Sequence, residues 1–298
     1  MTELTVFTAP KPFTDPHIAV IQRNAIRSWQ QLGAGVQVLL VGEEDGLAEA
    51  AQDLGVTHLP QVARNELGTP LVSSIFALAR QASDAPLLAY VNADILLSGN
   101  LLDVIHQVTT QVADFLLIGQ RWDLDVTAPL DFSPGWEARL QDELRRHGRL
   151  HPPAGSDYFV FPRHLLTEIP DFAIGRAGWD NWMIYHGVGQ PWPVIDATPD
   201  LTVIHQNHDY SHLADGKPHY GSEETLRNAA LGGGMHNMYL LLDAQKELRG
   251  GHIRRPRPSL ARLIRRLERW VQPKEDDDNG NWRSDLTRRL RRWRRRLT

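Results

Sequence analysis

Asn92 and Asp94 stand two positions apart inside "LLAYVNADILLSG", an otherwise apolar run over 87–99. A carboxylate in such a run is unfavourable unless something compensates it. A hard divalent cation, Mg²⁺ or Mn²⁺, does so by taking oxygen ligands and bridging carboxylates to phosphates. Capping of a helix that starts near Leu101 is the competing role for Asp94, made awkward by the intervening segment 95–100. Further on, "HQNHDYSH" supplies His205, His208 and His212, and neutral imidazole is the commonest metal ligand. The spacing also suits zinc in a hydrolase, with water as fourth ligand, although zinc held by histidines alone leaves Asp94 unexplained. Surface imidazoles bonding nearby backbone are the plainer alternative. In "GRAGWDNW", Asp180 lies between the indoles of Trp179 and Trp182. Apolar walls raise a carboxyl pKa, which suits a general base for a hydroxyl; either indole could stack on a ligand's apolar face. Asp180 also reads as an N-cap for "DNWMIYHGV", and a cap at a cleft-facing helix start can still act as a base.

The elements that must carry these residues alternate. "LTVFTA" reads as a strand, and "DPHIAVIQRNAIRSWQQL" as a helix with Ile18, Ile21, Ala25, Trp29 and Leu32 on one face. "VQVLLVG" is a strand covered on both sides. A helix over 46–54 and the short run "VTHLP" follow, then the helix "TPLVSSIFALARQAS" with Thr69 as N-cap and Pro70 at its first position. The strand that leads to Asp94, a helix over 101–112 and the strand "DFLLIG" complete the first half. Repeated strand–helix–strand units predict a mostly parallel α/β sheet with ligands at the carboxyl ends of its strands. No GxGxxG fingerprint is present, which counts against an NAD or FAD domain. From 121 to about 212 Trp, Pro, Gly and Asp become dense, and the strands "DYFVFP", "PVIDAT" and "LTVIH" are short. A helical stretch over 221–248, interrupted by "GGG", closes the body.

The 298 residues contain no cysteine, so disulfides, thiolate metal sites and Cys nucleophiles are excluded. The opening "MTELTVFTAP" has neither a basic nor an apolar signal region, and no run reaches the ~20 apolar residues of a membrane span. A cytoplasmic location is expected. The net charge of −4 hides an asymmetry: residues 254–298 hold 16 Lys and Arg against 6 Asp and Glu, a formal +10, which leaves the body at −14. In this tail Leu260, Leu263, Ile264, Leu267 and Val271 share one helical face, with Ser259 as cap. Past the acidic linker "EDDDNGN", Trp282, Leu286, Leu290, Trp293 and Leu297 share another. Two basic amphipathic helices with interfacial Trp suggest an anionic membrane surface as partner of 254–298, peripheral at the inner face. Nucleic acid is the less favoured partner, and packing of the stripes on the domain or a second subunit is the third reading.

Several stretches together resemble the GT-A-fold glycosyltransferases. "YVNADILL" is similar to their D-x-D region, and "FTAPKPF" to the first strand and nucleotide-contacting turn. "GTPLVSSIFALA" is similar to the helix before D-x-D, "GRAGWDNW" to the acceptor-side acidic motif, and "TVIHQNHDYSH" to the late strand that delivers a metal-binding His. These stretches cover about residues 4–212, in the order the fold demands. The resemblance implies a GT-A-like, mostly parallel sheet flanked by helices, with a nucleotide-binding half over about 1–120, an acceptor-side half over 121–250, and the basic helical tail 251–298. It implies transfer of a sugar from a nucleotide-sugar donor to a glycan or lipid-linked acceptor, assisted by Mn²⁺ or Mg²⁺. Asp94 and His205 then hold the ion, with His208 as second choice, and Asp180 acts on the acceptor; if the anomeric configuration is retained, Asp180 orients the acceptor instead. Thr8, Ala9, Pro10, Glu43, Asn65 and Asn92 are the expected nucleotide contacts. Asp157, Trp179, Asn181 and Arg176 are the expected sugar or acceptor contacts, with Arg121 and Arg176 as phosphate candidates. Asn in place of the first Asp removes one charge from the metal site, so weaker metal affinity or metal-independent transfer follows from that departure. A sugar-phosphate nucleotidyltransferase, a zinc hydrolase and a non-enzymatic lipid- or nucleic-acid-binding protein are the alternatives. The first usually carries a Gly-rich basic phosphate loop, where "TAPKPF" has one Lys and no Gly.

Overall fold

The computed structural model describes residues 2–208, 221–273 and 282–298. The first half runs β1 (Leu4–Thr8), α1 (Pro16–Gln30), β2 (Val36–Val41), α2 (Leu47–Leu54), β3 (Thr57–Leu59), α3 (Val72–Gln81), β4 (Leu87–Val91), β5 (Ile95–Leu97), α4 (Asn100–Thr109) and β6 (Leu116–Ile118). The second half continues with β7 (Trp122–Leu124), α5 (Trp136–His147), β8 (Arg149–Leu150), β9 (Tyr158–Pro162), α6 (Trp179–Val188), β10 (Val194–Asp196), β11 (Val203–Gln206) and α7 (Glu223–Leu231). Two short 3₁₀ turns precede β12 (Lys246–Arg249) and β13 (His252–Arg254), and the basic helices α8 (Leu260–Val271) and α9 (Trp282–Arg295) end the chain.

Nine strands form the main sheet in the order β13-β12-β10-β6-β9-β4-β1-β2-β3. The sheet is mostly parallel: β3, β2, β1 and β4 run together, as do β6, β10 and β12. Between these groups β9 is antiparallel to both neighbours. Side chains alternate across the pleat, so each strand feeds two cores. Leu4, Val6, Ala89 and Val91 face Trp29 and Ala25 of α1; Phe7, Leu88 and Tyr90 face Ile75 and Phe76 of α3 and the indoles of α6. The fold class expected from the alternating pattern is the one observed, a mostly parallel α/β sheet flanked by helices.

A second, smaller sheet, β5-β11-β7-β8, stands beside the first. Its strands have two to four residues each, too short to hold alone. Helix α1 fastens it: Trp29 Nε1 donates to the Ile95 carbonyl at 2.9 Å, and the Leu97 N–H donates to Ser28 Oγ at 3.1 Å. The helix is itself well started, with Asp15 accepting from the His17 and Ile18 N–H groups and Pro16 at its first position.

Two expected element boundaries move. Helix α3 begins at Val72, not after Thr69, because Pro70 and Leu71 are held extended by bridges to Arg64 and Ala173. The stretch expected to stay helical to 248 instead ends in β12, which joins the sheet edge beside β10. The expected boundary at 250 falls in the turn between β12 and β13, so the last strand lies on its tail side and the helical tail begins at Leu260. No helix among the described residues is long and apolar enough to cross a membrane.

Candidate functional site

Strands β1 and β4 are parallel neighbours with Phe7 opposite Tyr90, so both open at the same edge of the sheet. The chain leaves β4 through Asn92, turns, and re-enters strand geometry at Ile95; Asp94 sits on that turn. Strand β11 pairs antiparallel with β5, placing His205 opposite Ile95, and parallel with β7, placing His205 opposite Asp123. Register alone therefore brings Asp94, His205 and Asp123 to one spot. Gln206, fully buried, locks it. Its backbone N–H donates to the Asp94 carbonyl at 3.1 Å, and its side-chain amide donates to the Ile21 and Asp94 carbonyls.

One carboxylate oxygen and two imidazole nitrogens, from Asp94, His205 and His208, lie within 4.8 Å of one another. Asp94 Oδ2 is 3.2 Å from His208 Nε2 and 3.7 Å from His205 Nε2. The other oxygen, Oδ1, is buried with no hydrogen-bond partner among the described residues. A sealed, unpaired carboxylate oxygen beside two imidazoles suits a divalent cation. Orientation of the ring agrees: His205 Nδ1 lies 3.4 Å from both Asp123 Oδ1 and Asn207 Oδ1. A proton held there leaves the Nε2 lone pair directed toward Asp94, the usual arrangement behind a metal-bound imidazole. Asp123 is fixed in turn by Arg121 Nε at 3.0 Å and His151 Nδ1 at 2.8 Å.

Charge balances around this point. Burial pushes the Asp94 carboxyl up, but His205, His208 and Lys11 outweigh it and hold the group well below the usual carboxylate range. Burial lowers His205, yet Asp94 and Asp123 raise it more. Lys11 Nζ reaches within 3.4 Å of His208 Nε2. Its backbone is clamped at both ends by the buried Gln22 amide, which accepts from Lys11 N–H at 2.7 Å and donates to Lys11 C=O at 3.0 Å. Burial holds the Lys11 ammonium below its usual pKa, against the pull of Asp94.

Asn92 does not project freely into the cleft. Its carbonyl oxygen accepts from the Tyr90 hydroxyl at 3.0 Å and its amide donates to Asp157 Oδ1 at 2.9 Å, while its backbone N–H donates to the Asp157 carbonyl. Arg121 Nη1 adds a 2.8 Å ion pair to the same Asp157 oxygen. Asp157 therefore joins the Asp94 turn to the second half of the chain, and its charge reaches Asp180. Asp180 is the second residue of α6, whose cap position is Gly178. Burial pushes its carboxyl up to about 6, the N–H groups at the helix start resist, and Asp157 adds to the rise. Gly155 packs so closely that a Cβ there would overlap Asp180 Oδ2. Asn181 donates to the Tyr239 carbonyl at 2.7 Å, which fixes the helix start.

The remaining expected residues divide. Thr8 is buried at the end of β1, and Ala9 and Pro10 lead from it to Lys11. Asn65 and Arg176 meet elsewhere, both on Glu224: Asn65 Nδ2 at 2.7 Å and Arg176 Nε at 2.6 Å. Glu43 is largely exposed, 3.4 Å from Arg64 Nε. Trp179 and Trp182 are core residues. Trp179 meets Tyr90 edge-on and Phe159 obliquely, so its faces hold α6 on the sheet instead of offering a stacking platform. Trp182 stacks on His186. His212 lies outside the described residues. Lys11, Asp123 and Gly155 were not singled out by sequence. Lys11 was visible as the one cation after β1, whereas Asp123 reads as ordinary strand alternation. A cavity of about 340 Å³ under α8, lined by His236, Tyr239, Arg269 and Trp270 among others, shares no residue with this cluster.

No protein-family model and no curated protein matches the chain in sequence. Among solved structures it is similar to glucosyl-3-phosphoglycerate synthase from Mycobacterium tuberculosis. The complex with uridine diphosphate aligns at 16% identity and TM-score 0.48, over 78% of this chain and 80% of that one. Another structure of the same enzyme aligns at 16% and 0.48, over 77% and 78%. A third, with Mg²⁺ and uridine diphosphate, aligns at 15% and 0.45, over 71% and 74%.

Proposed function

We propose that this chain is a glycosyltransferase that moves a sugar from a nucleotide-sugar donor to a glycan or lipid-linked acceptor with the help of Mn²⁺ or Mg²⁺. One observation carries the reading: Asp94, His205 and His208 converge, with a sealed unpaired carboxylate oxygen, where parallel strands β1 and β4 open together. That edge is where open α/β sheets bind nucleotides. When bound, the ion supplies charge stabilisation to the departing diphosphate.

The protein's own groups do the rest. Asp123 keeps the proton on His205 Nδ1, so that Nε2 stays a donor of electrons. Lys11, fixed by Gln22, adds a positive charge near the same place that meets the diphosphate directly, where Asn at 92 leaves the ion held by one negative charge fewer. Asn92 bridges Tyr90 to Asp157 and so ties the donor half to the acceptor half. Asp180, with its carboxyl near 6, takes the acceptor's hydroxyl proton as the glycosidic bond forms; Gly155 leaves room for it. In this reading Thr8, Ala9, Pro10, Glu43 and Asn65 line the nucleotide side, and Asp157, Asn181 and Arg176 support the acceptor side. A cytoplasmic position at the inner face of a membrane completes it.

A second reading has its own support: two imidazoles and one carboxylate also suit zinc with a bound water, as in a hydrolase. A thermal-shift series with UDP-, GDP-, CMP- and dTDP-sugars, with and without Mn²⁺, separates the two. Binding of a donor raises the melting temperature by mass action. The glycosyltransferase reading expects one nucleotide class to act, more strongly with Mn²⁺, and expects Asp94→Ala to abolish the metal-dependent part. A shift with Zn²⁺ alone and none with any nucleotide-sugar would favour the hydrolase.

A further inference from the structure

Helices α8 and α9 pack on each other with an inverted polarity. Glu268 of α8 is fully buried, and three arginines converge on it: Arg265 at 3.1 Å, Arg291 at 3.1 Å and Arg294 at 2.9 Å. Arg265 also pairs with Asp243 at 2.8 Å, which ties the helix pair to the body, and Arg262 lies 3.5 Å from Asp196. Ile264 and Val271 turn inward beside this ionic core. The expected apolar stripe is thus split. Leu260, Leu263 and Leu267 stay exposed on one face of α8, followed by Trp270 at 76% exposure. On α9 Trp282 and Trp293 are 67% and 50% exposed, and Leu297 follows. Seven of the twelve large apolar side chains exposed among the described residues belong to this short segment. A helix pair in water normally buries its leucines; this one buries Arg265 and Arg294 and leaves Leu260, Leu263 and Leu267 exposed.

We infer that the exposed face of α8 and α9 is a docking surface for an anionic lipid bilayer. The charge pattern selects the occupant. Exposed Arg266 stands one turn from Leu263 and Trp270, and exposed Arg289 and Arg296 flank Trp293 at i−4 and i+3. Leucine and tryptophan enter the acyl boundary while these arginines meet anionic headgroups. A second copy presenting the same face would set arginine against arginine. A nucleic acid would meet the arginines but give the leucine row nothing apolar to enter. The inference stands on the helix pair alone and does not depend on which reaction the Asp94 site carries out.

Flotation of the full-length protein with phosphatidylcholine vesicles, with and without phosphatidylglycerol, tests it. The protein should float only with the anionic vesicles, its tryptophan emission should move to the blue, and salt should release it. Leu263→Glu with Trp270→Glu should weaken binding by at least about tenfold, and Arg266→Gln or Arg289→Gln by about fivefold each. All four positions are exposed, so an unchanged melting curve checks that the variants remain folded. The inference is overturned if the folded protein ignores both vesicle types. It is equally overturned if the double variant binds as well as the parent, if the protein dimerises through this face, or if the emission shift appears with RNA and not with lipid.

Discussion

Asp180 carries the clearest consequence of burial at a single residue. Its folded pKa near 6 exceeds the unfolded 3.8, so between these values the native state holds a proton that the unfolded chain has lost. Its contribution to stability is therefore greatest below about pH 4 and is lost as the pH rises through 6. Asp180→Asn should remove that slope and, at pH 8, raise the unfolding free energy by up to about 3 kcal/mol, as read from denaturant melts. Under the glycosyltransferase reading the same residue gives kcat/KM an acid limb near pH 6, where activity falls about tenfold per unit. Gly155→Ala presses a methyl group on the Asp180 carboxylate. Activity should drop about tenfold or more for the loss of geometry, and the limb should move in a pH–rate profile. Lys11→Gln should weaken binding of a nucleoside diphosphate by about tenfold in titration calorimetry, the scale of one charge-assisted contact.

Among the elements, the long ones were legible, as were the short strands β3, β6, β10 and β11, and the other short ones were not. Strands β1, β2 and β4 and helix α1 announce themselves because each buries a continuous or periodic apolar set and, for α1, carries Asp15 and Pro16 at its start. Asp94 was legible as a charge in the wrong place. Of the small sheet β11 was legible as "LTVIH", but the sheet itself was hidden, since strands of two to four residues have little periodicity to read and β11 meets β5 about a hundred residues away. Asp123 gains its role only through that pairing. Trp179 looked available because sequence shows an aromatic residue beside an acid, not the Tyr90 and Phe159 rings that take up its faces. In the tail, heptad-like spacing marked amphipathic helices correctly but not the buried Glu268. That glutamate is the clasp of the helix pair: Glu268→Ala leaves Arg294 buried without its counter-ion and Arg265 with Asp243 alone. Loss of one partner from such a cluster costs about 3–5 kcal/mol. Amide exchange across α9 should rise accordingly while the strands of the main sheet stay protected.

At the scale of the whole molecule, the two cores on either face of the main sheet draw nothing from the Asp94 cluster. The charge of Asp94 is already answered by His205, His208 and Lys11. Dialysis against a chelator should leave the apo melting temperature within about 2 °C, while readdition of Mn²⁺ at a hundred times its dissociation constant should add about 2.7 kcal/mol. Calorimetry of the chelated and reloaded protein checks both. The reversed strand β9 has a wider consequence. Running against its neighbours, it delivers its beginning, Asp157, to the edge where β1 and β4 deliver their ends. The segment ahead of Gly155 can therefore be lengthened, shortened or exchanged without rethreading β1 and β4, much as a tool bit changes while its chuck stays fixed. Under the glycosyltransferase reading the choice of acceptor is separable from the handling of the ion, and a graft ahead of Gly155 is the natural place to alter one and keep the other.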